Sequence, residues 1–234
     1  MGAIPYCGPA PQPDGILAAW NLDPVVLIAL AMLGWTLRRH GAAAKVGLAL
    51  LVIAYVSPLC ALSAGLFSAR TVHHLVIVFG AAPLLAGALQ TRRVPLVPAF
   101  MFHLAVFWLW HLPAAYDFAL TSDVAYWVGQ IALLGSALLL WRSLGQAGQS
   151  PTTVFFVIAA MVMQMGMLGA VLTFAPTALY SSHYLTTVRY GIGVLDDQQF
   201  AGLLMWVGSL PLTIVAAWAP LARLATQARS GLAA

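Results

Sequence analysis

From Pro151 to Ala175 the chain runs for 25 residues without a charged side chain, and six other stretches approach the same pattern. The hydrocarbon core of a bilayer is about 30 Å thick and takes about 20 apolar residues to cross as a helix. Blocks of that length therefore read as membrane spans. Cut at charges, proline clusters and glycine-rich turns, they fall at 22–39, 43–66, 71–90, 96–115, 123–142, 151–175 and 199–222. Composition closes off the soluble alternative. Only 7 % of the 234 residues are charged, where soluble domains carry about a quarter.

The remaining charges set a topology. Cytoplasmic connections collect Lys and Arg, and here Arg38, Arg39, Lys45, Arg92, Arg93, Arg142, Arg223 and Arg229 fall on one side of the seven blocks. Arg70, Arg189 and all six Asp residues fall on the other. The expectation is an all-α membrane protein, a seven-transmembrane helix bundle with its N-terminus outside and its C-terminus cytoplasmic. Residues 1–21 form an external arm, 22–222 the transmembrane domain and 223–234 a cytoplasmic tail. Asp23-Pro24 reads as a helix start, with Asp as N-cap and Pro at the first helical position. Met1 to Trp20 has four prolines and no basic n-region, so it does not read as a cleavable signal. Trp20, Trp110, Tyr116, Trp127, Tyr180 and Tyr184 read as an interfacial belt at the outer edge.

Several functions are excluded. A retinal protein needs a lysine deep in a helix, and Lys45 at a loop edge is the only lysine. Neither a phosphate-binding G-x-x-x-x-G-K-[ST] loop nor an H-E-x-x-H zinc pair occurs. No acid lies near a span centre, as ion-coupled carriers usually require. The basic residues are scattered between apolar blocks, which argues against nucleic acid.

Ionisable side chains inside a bilayer are costly and often functional, so the histidines carry most weight. His73 and His74 open the third span, and His111 closes the fourth on the same side. His74 and His111 are expected at one level, with His103 about 12 Å deeper. Imidazole suits copper, zinc or haem iron. Met161, Met163, Met165 and Met167 alternate in the sixth span and split on a helix into Met163 with Met167 and Met161 with Met165. Thioethers favour Cu(I), and Met167 is expected near the histidine level. Filling gaps between helices is the plainer role for these methionines. Asp197, in Asp196-Asp197-Gln198-Gln199, reads as a cap for the last span and as a candidate oxygen ligand. Arg70 is expected to pair with an Asp. Cys7 and Cys60 leave three readings open: a disulfide, a copper-binding thiolate, or independent thiols, the last being the default.

Seven segments, in order along nearly the whole chain, carry a resemblance: Trp20-Asn21-Leu22-Asp23-Pro24; Ser57-Pro58-Leu59; Leu66-Phe67-Ser68-Ala69 running into His74; Ala82-Pro83-Leu84-Leu85; Phe107-Trp108-Leu109-Trp110-His111-Leu112-Pro113; Leu172-Thr173-Phe174-Ala175-Pro176; and Asp197-Gln198-Gln199-Phe200-Ala201-Gly202 with Met205-Trp206. On these the chain resembles the CtaG family of integral-membrane cytochrome c oxidase assembly proteins. The resemblance implies a multi-pass protein of the bacterial inner membrane that matures haem-copper oxidase, with oxidase subunits, a copper chaperone and membrane lipid as partners. It departs from the family's His-Met-x-x-His at the third span, where Arg70-Thr71-Val72-His73-His74 stands. It departs again near the fifth, where relatives often carry histidine and Tyr126 and Gln130 stand here. The expected function is a non-catalytic assembly factor binding or delivering copper, with His74, His111, His73, Met167 and Asp197 as candidate ligands. The alternatives are a haem-binding electron carrier using pairs among His74, His103 and His111, or a metal-free protein scaffold.

Overall fold

The computed structural model describes residues 5–89 and 93–232, excluding the side chains of 219, 223, 224 and 227–232. Arg92 and the side chains of Arg223 and Arg229, on which part of the charge asymmetry rests, lie outside the described residues. Helices account for nearly all regular structure: α1 Pro24–Leu37, α2 Ala42–Tyr55, α3 Pro58–Gly65, α4 Phe67–Ala86, α5 Leu96–His111, α6 Pro113–Thr121, α7 Asp123–Leu144, α8 Pro151–Phe174 and α9 Val194–Trp218. Helical backbone continues beyond α9 to Leu232.

Among the described residues α4, α7, α8 and α9 are each long and apolar enough to cross a membrane. The count reaches six when the bent pairs α2 with α3 and α5 with α6 each make one crossing. Both bends fall at proline. Pro58 and Pro113 each take the first position of a new helix, forcing the preceding Ser57 and Leu112 into extended backbone. The pairs turn by 47° and 74°. The expected straight blocks at 43–66 and 96–115 are thus broken ones. Helix α1 has 14 residues, about 21 Å at 1.5 Å per residue, which falls short of a 30 Å core. Its start is the expected one: the Asp23 carboxylate accepts from the backbone of Val25 at 2.7 Å and Val26 at 3.3 Å.

Proline also widens two helices. Pro83 and Pro211 lack an N–H, and each ring would collide with the carbonyl four residues back, at Phe79 and Val207. Both carbonyls lie within π-helical turns, Val76–Ala81 in α4 and Leu204–Gly208 in α9. The indole of Trp141 donates to the Val78 carbonyl inside the first of these turns, at 2.7 Å.

Helix α4 packs against α2, α3, α7 and α9, and α5 packs along α7. Helices α8 and α9 cross at Gly169 and Gly202, where a Cβ on Gly169 would come within 2.7 Å of the Gly202 carbonyl. Small residues of this kind let membrane helices approach closely. The outer surface is apolar: Val25, Ile28 and Trp35 of α1 and Phe155, Phe156 and Met163 of α8 are all exposed. An apolar surface that broad is stable only against lipid. The protein is a multi-pass membrane protein.

One end of the bundle is closed by the N-terminal arm and the 176–193 connection. Arg189 donates to the Ala10 carbonyl at 2.8 Å and Tyr190 to the Pro11 carbonyl at 2.7 Å. Cys7 and Cys60 are joined in a disulfide, which corrects the expectation of independent thiols and removes the thiolate ligand. The arm folds back so that the two residues, 53 apart in sequence, come to a Cα separation of 5.3 Å. Tyr126 donates to Cys7 Sγ at 3.4 Å.

Candidate functional site

Beneath this closed end, His74, two turns into α4, meets His111, the last residue of α5, with ring centroids 6.0 Å apart and planes at 83°. The pair lines a cavity of about 30 Å³ together with Arg70, Trp110, Tyr126 and Gln130. It also lines a deeper cavity of about 20 Å³ that reaches His103. A single water needs roughly 10–15 Å³ of such space. Each cavity admits an ion or one or two waters, and neither has room for a porphyrin.

The tautomers follow from the partners. His111 Nδ1 lies 2.6 Å from the Phe107 carbonyl; a carbonyl only accepts, so Nδ1 carries the proton and Nε2 presents a lone pair. His74 Nε2 lies 3.5 Å from the amide nitrogen of Gln130, which only donates, so this ring nitrogen also presents a lone pair. Tyr55 donates to the carbonyl oxygen of Gln130 at 3.2 Å and holds the amide in that sense. Both Nε2 atoms thus carry a lone pair: His111 is steered through its other ring nitrogen, in the way metal-ligating histidines usually are, whereas the His74 lone pair accepts from Gln130. Metal–imidazole bonds of about 2 Å place two ligating rings about 6 Å apart between centroids, the separation found here.

Arg70 is buried beside the pair. It donates to the Ser63 carbonyl at 3.1 Å and its guanidinium lies 5.7 Å and 5.6 Å from the ring centroids of Tyr116 and Tyr126. Among the described residues no carboxylate lies within salt-bridge distance of it, so the expected Arg–Asp pair is replaced by a carbonyl and two aromatic faces. A monovalent ion is repelled less by this charge than a divalent one. Among the described residues no three His, Cys, Asp or Glu side chains come together as a metal-holding group. The site is therefore an imidazole pair with one cationic neighbour, Arg70, and no carboxylate in its lining, which suits a soft monovalent ion of low coordination better than zinc.

The other expected ligands lie elsewhere. His73 is fully buried and meets Tyr55 edge-on; its ring centroid is 5.6 Å from that of His74, but it lines neither cavity. Met167 and Met163 lie on the outer face of α8 at 53 % and 73 % exposure, while Met161 and Met165 face the deeper cavity. Asp197 lies in the first turn of α9 and caps another helix: its carboxylate accepts from Phe67 N at 2.6 Å, from Ser68 N at 3.3 Å and from the Ser68 hydroxyl. This cross-chain cap, absent from the sequence reading, starts α4 at residue 67. Gln198 is spent likewise, accepting from Leu179 N at 2.6 Å.

Two of the supposed interfacial aromatics are core residues. Tyr116 and Tyr180 are buried against Phe67, and Tyr180 donates to the His111 carbonyl at 2.9 Å. His183, not singled out in the sequence, is buried with them, its Nε2 2.7 Å from the Tyr116 hydroxyl. Burial, reinforced by Arg70, lowers its pKa from 6.5 to about 4. A histidine between Tyr180 and Tyr184 was the available signal for a buried loop. Gln164, the one amide in a 25-residue apolar block, was the other overlooked marker.

The family described as cytochrome c oxidase caa3 assembly factor (Caa3_CtaG) matches residues 88–227. That segment holds His103, His111 and Asp197 and excludes His74. Neither a curated protein nor a solved structure matches the chain. With more than half its length matched, the chain belongs to the family of cytochrome c oxidase caa3 assembly factors.

Proposed function

We propose that this assembly factor is non-catalytic, holds Cu(I) between His74 and His111, and releases it to a nascent subunit of a haem-copper oxidase. The observation that carries the reading is the convergence of two imidazoles with ring centroids 6.0 Å apart, His111 with its Nε2 lone pair free and His74 with its Nε2 lone pair held only by the long 3.5 Å contact from Gln130, which an incoming ion displaces. A two-coordinate ion of this kind keeps open positions through which an incoming ligand can displace one imidazole at a time. A copper chaperone supplies the ion, and lipid surrounds the bundle.

The same proposal fixes the topology. Helix α1 adds a seventh crossing with the help of its flanking residues, and its exposed apolar side chains support lipid contact. Arg38, Arg39, Lys45, Arg93 and Arg142 lie in or beside connections at the end opposite the arm, which supports an orientation with the N-terminus outside a bacterial plasma membrane and the C-terminus in the cytoplasm. The histidine pair then faces the periplasm beneath the stapled arm.

Purified protein titrated anaerobically with Cu(I) against a chromogenic chelator tests this reading. The wild type is expected to retain copper, and H74Q/H111Q to lose the copper held by nitrogen alone. Unchanged nitrogen-bound copper in the double variant overturns the site.

A further inference from the structure

The deeper cavity holds more chemistry than the assembly role so far uses. Besides the histidine pair and His103 it is lined by Met161, Met165 and Met205, all buried. We infer that this cavity is a second Cu(I) site, with the three thioethers and His103 Nε2 as donors, in series with the outer imidazole pair. The inference deepens the function proposed above and rests on copper as cargo.

Three observations converge on it. Every group that selects a ligand here offers a lone pair. Ser136 gives its single proton to the Leu133 carbonyl at 3.1 Å, so at 2.9 Å it accepts from His103 Nδ1; His103 Nε2 is therefore bare. Thioether sulfur has no proton to donate. Such a lining repels anions, and sulfur with imidazole selects Cu(I) over harder ions.

Next, the cavity carries polar demand that the protein leaves unmet. The Gln164 carbonyl oxygen and the Thr71 hydroxyl are buried without a hydrogen-bond partner, and both residues line this space. Oxygens orphaned in an apolar interior carry an uncompensated desolvation cost. A cation in the cavity offsets that cost by polarising toward them.

Finally, the two π-helical turns flank this cavity. Val78 and Phe79 come from one and Met205 from the other. Such turns recur at functional sites, and the widened backbone of α9 aims Met205 at the face of α8 that carries Met161 and Met165, one turn apart. His103 stands two turns along α5 from His111, about 12 Å. Because His74 and His111 line both cavities, an ion moves between the sites by exchanging ligands without entering lipid.

The test is Cu(I) titration of the purified full chain in detergent, with X-ray absorption of the loaded protein. The wild type is expected to bind two equivalents, with sulfur and nitrogen in the mean shell. M161L/M165L/M205L, which nearly conserves volume, should bind one equivalent with no sulfur. H103Q serves as a second variant and should also lose one. H74Q/H111Q should keep one sulfur-bound equivalent. A wild type with one all-nitrogen equivalent that H74Q/H111Q abolishes overturns the deeper site and leaves the outer reading standing. One sulfur-bound equivalent that survives H74Q/H111Q does the reverse. A folded triple-leucine variant that still binds two equivalents, or a cavity that takes up no copper, overturns the inference.

Discussion

At the residue scale, the proposed copper ligands His74 and His111 differ in how their lone pairs are held. His111 is held by a carbonyl of its own helix, a contact no side-chain substitution removes. The His74 Nε2 lone pair accepts from Gln130, so Gln130 competes with the ion for it. Q130A should therefore tighten Cu(I) binding about fivefold, the worth of a competing hydrogen bond of about 1 kcal/mol, as read by chelator competition. His183 makes a pH-dependent element of the closed end. Docked, it stays neutral down to pH about 4, whereas an undocked ring titrates near 6.5. Docking of the 176–193 connection thus loses no stability above pH 6.5 and weakens between 6.5 and 4, by about 3 kcal/mol at the bottom of that window. Hydrogen-exchange protection factors of residues 176–193, referred to the intrinsic rate at each pH, should fall on acidification through this range, and H183F should flatten the response. Which residues are buried was less readable than which are reactive. His74 and His111 could be placed at one level by counting turns. Met161 and Met163 lie two residues, about 200°, apart around α8; which of the two faces inward is set by packing against α9, which periodicity in a uniformly apolar block does not record.

At the scale of elements, proline wrote much of the outcome. Pro58 and Pro113 break spans that hydropathy alone renders continuous, and Pro83 and Pro211 open the π turns. The breaks were visible in the residues; their angles depended on neighbouring helices. The start of α4 was not visible, because its cap arrives from Asp197, 130 residues away. Asp197 was rightly read as a helix-capping carboxylate and assigned to the wrong helix. D197A leaves two N–H groups and a hydroxyl without their acceptor in a buried place. It should cost about 2 kcal/mol, seen as a lower thermal midpoint in detergent. Because α4 carries His74 two turns later, the same variant should also weaken copper binding, and D197N should do so less.

For the whole molecule, scarcity of charge makes lipid the solvent of the bundle, and the candidate site is sheltered at one end of it. The arm is stapled by Cys7–Cys60 and tied to the 176–193 connection, so residues distant in sequence form one cover above the histidine pair. Nothing in the order of the blocks announced that cover, since its contacts join segments some 180 residues apart. Membership of the caa3 oxidase assembly family says which process the molecule serves, and we propose that the imidazole pair carries copper for it. The direct measurement of that joint claim is the copper-to-haem ratio of oxidase purified from cells whose only copy of this protein is H74Q/H111Q. The expected result is oxidase with its haem present and its copper depleted, against a normal ratio in wild-type cells. A normal ratio in the variant cells, with the variant protein present in the membrane at wild-type level, would contradict it.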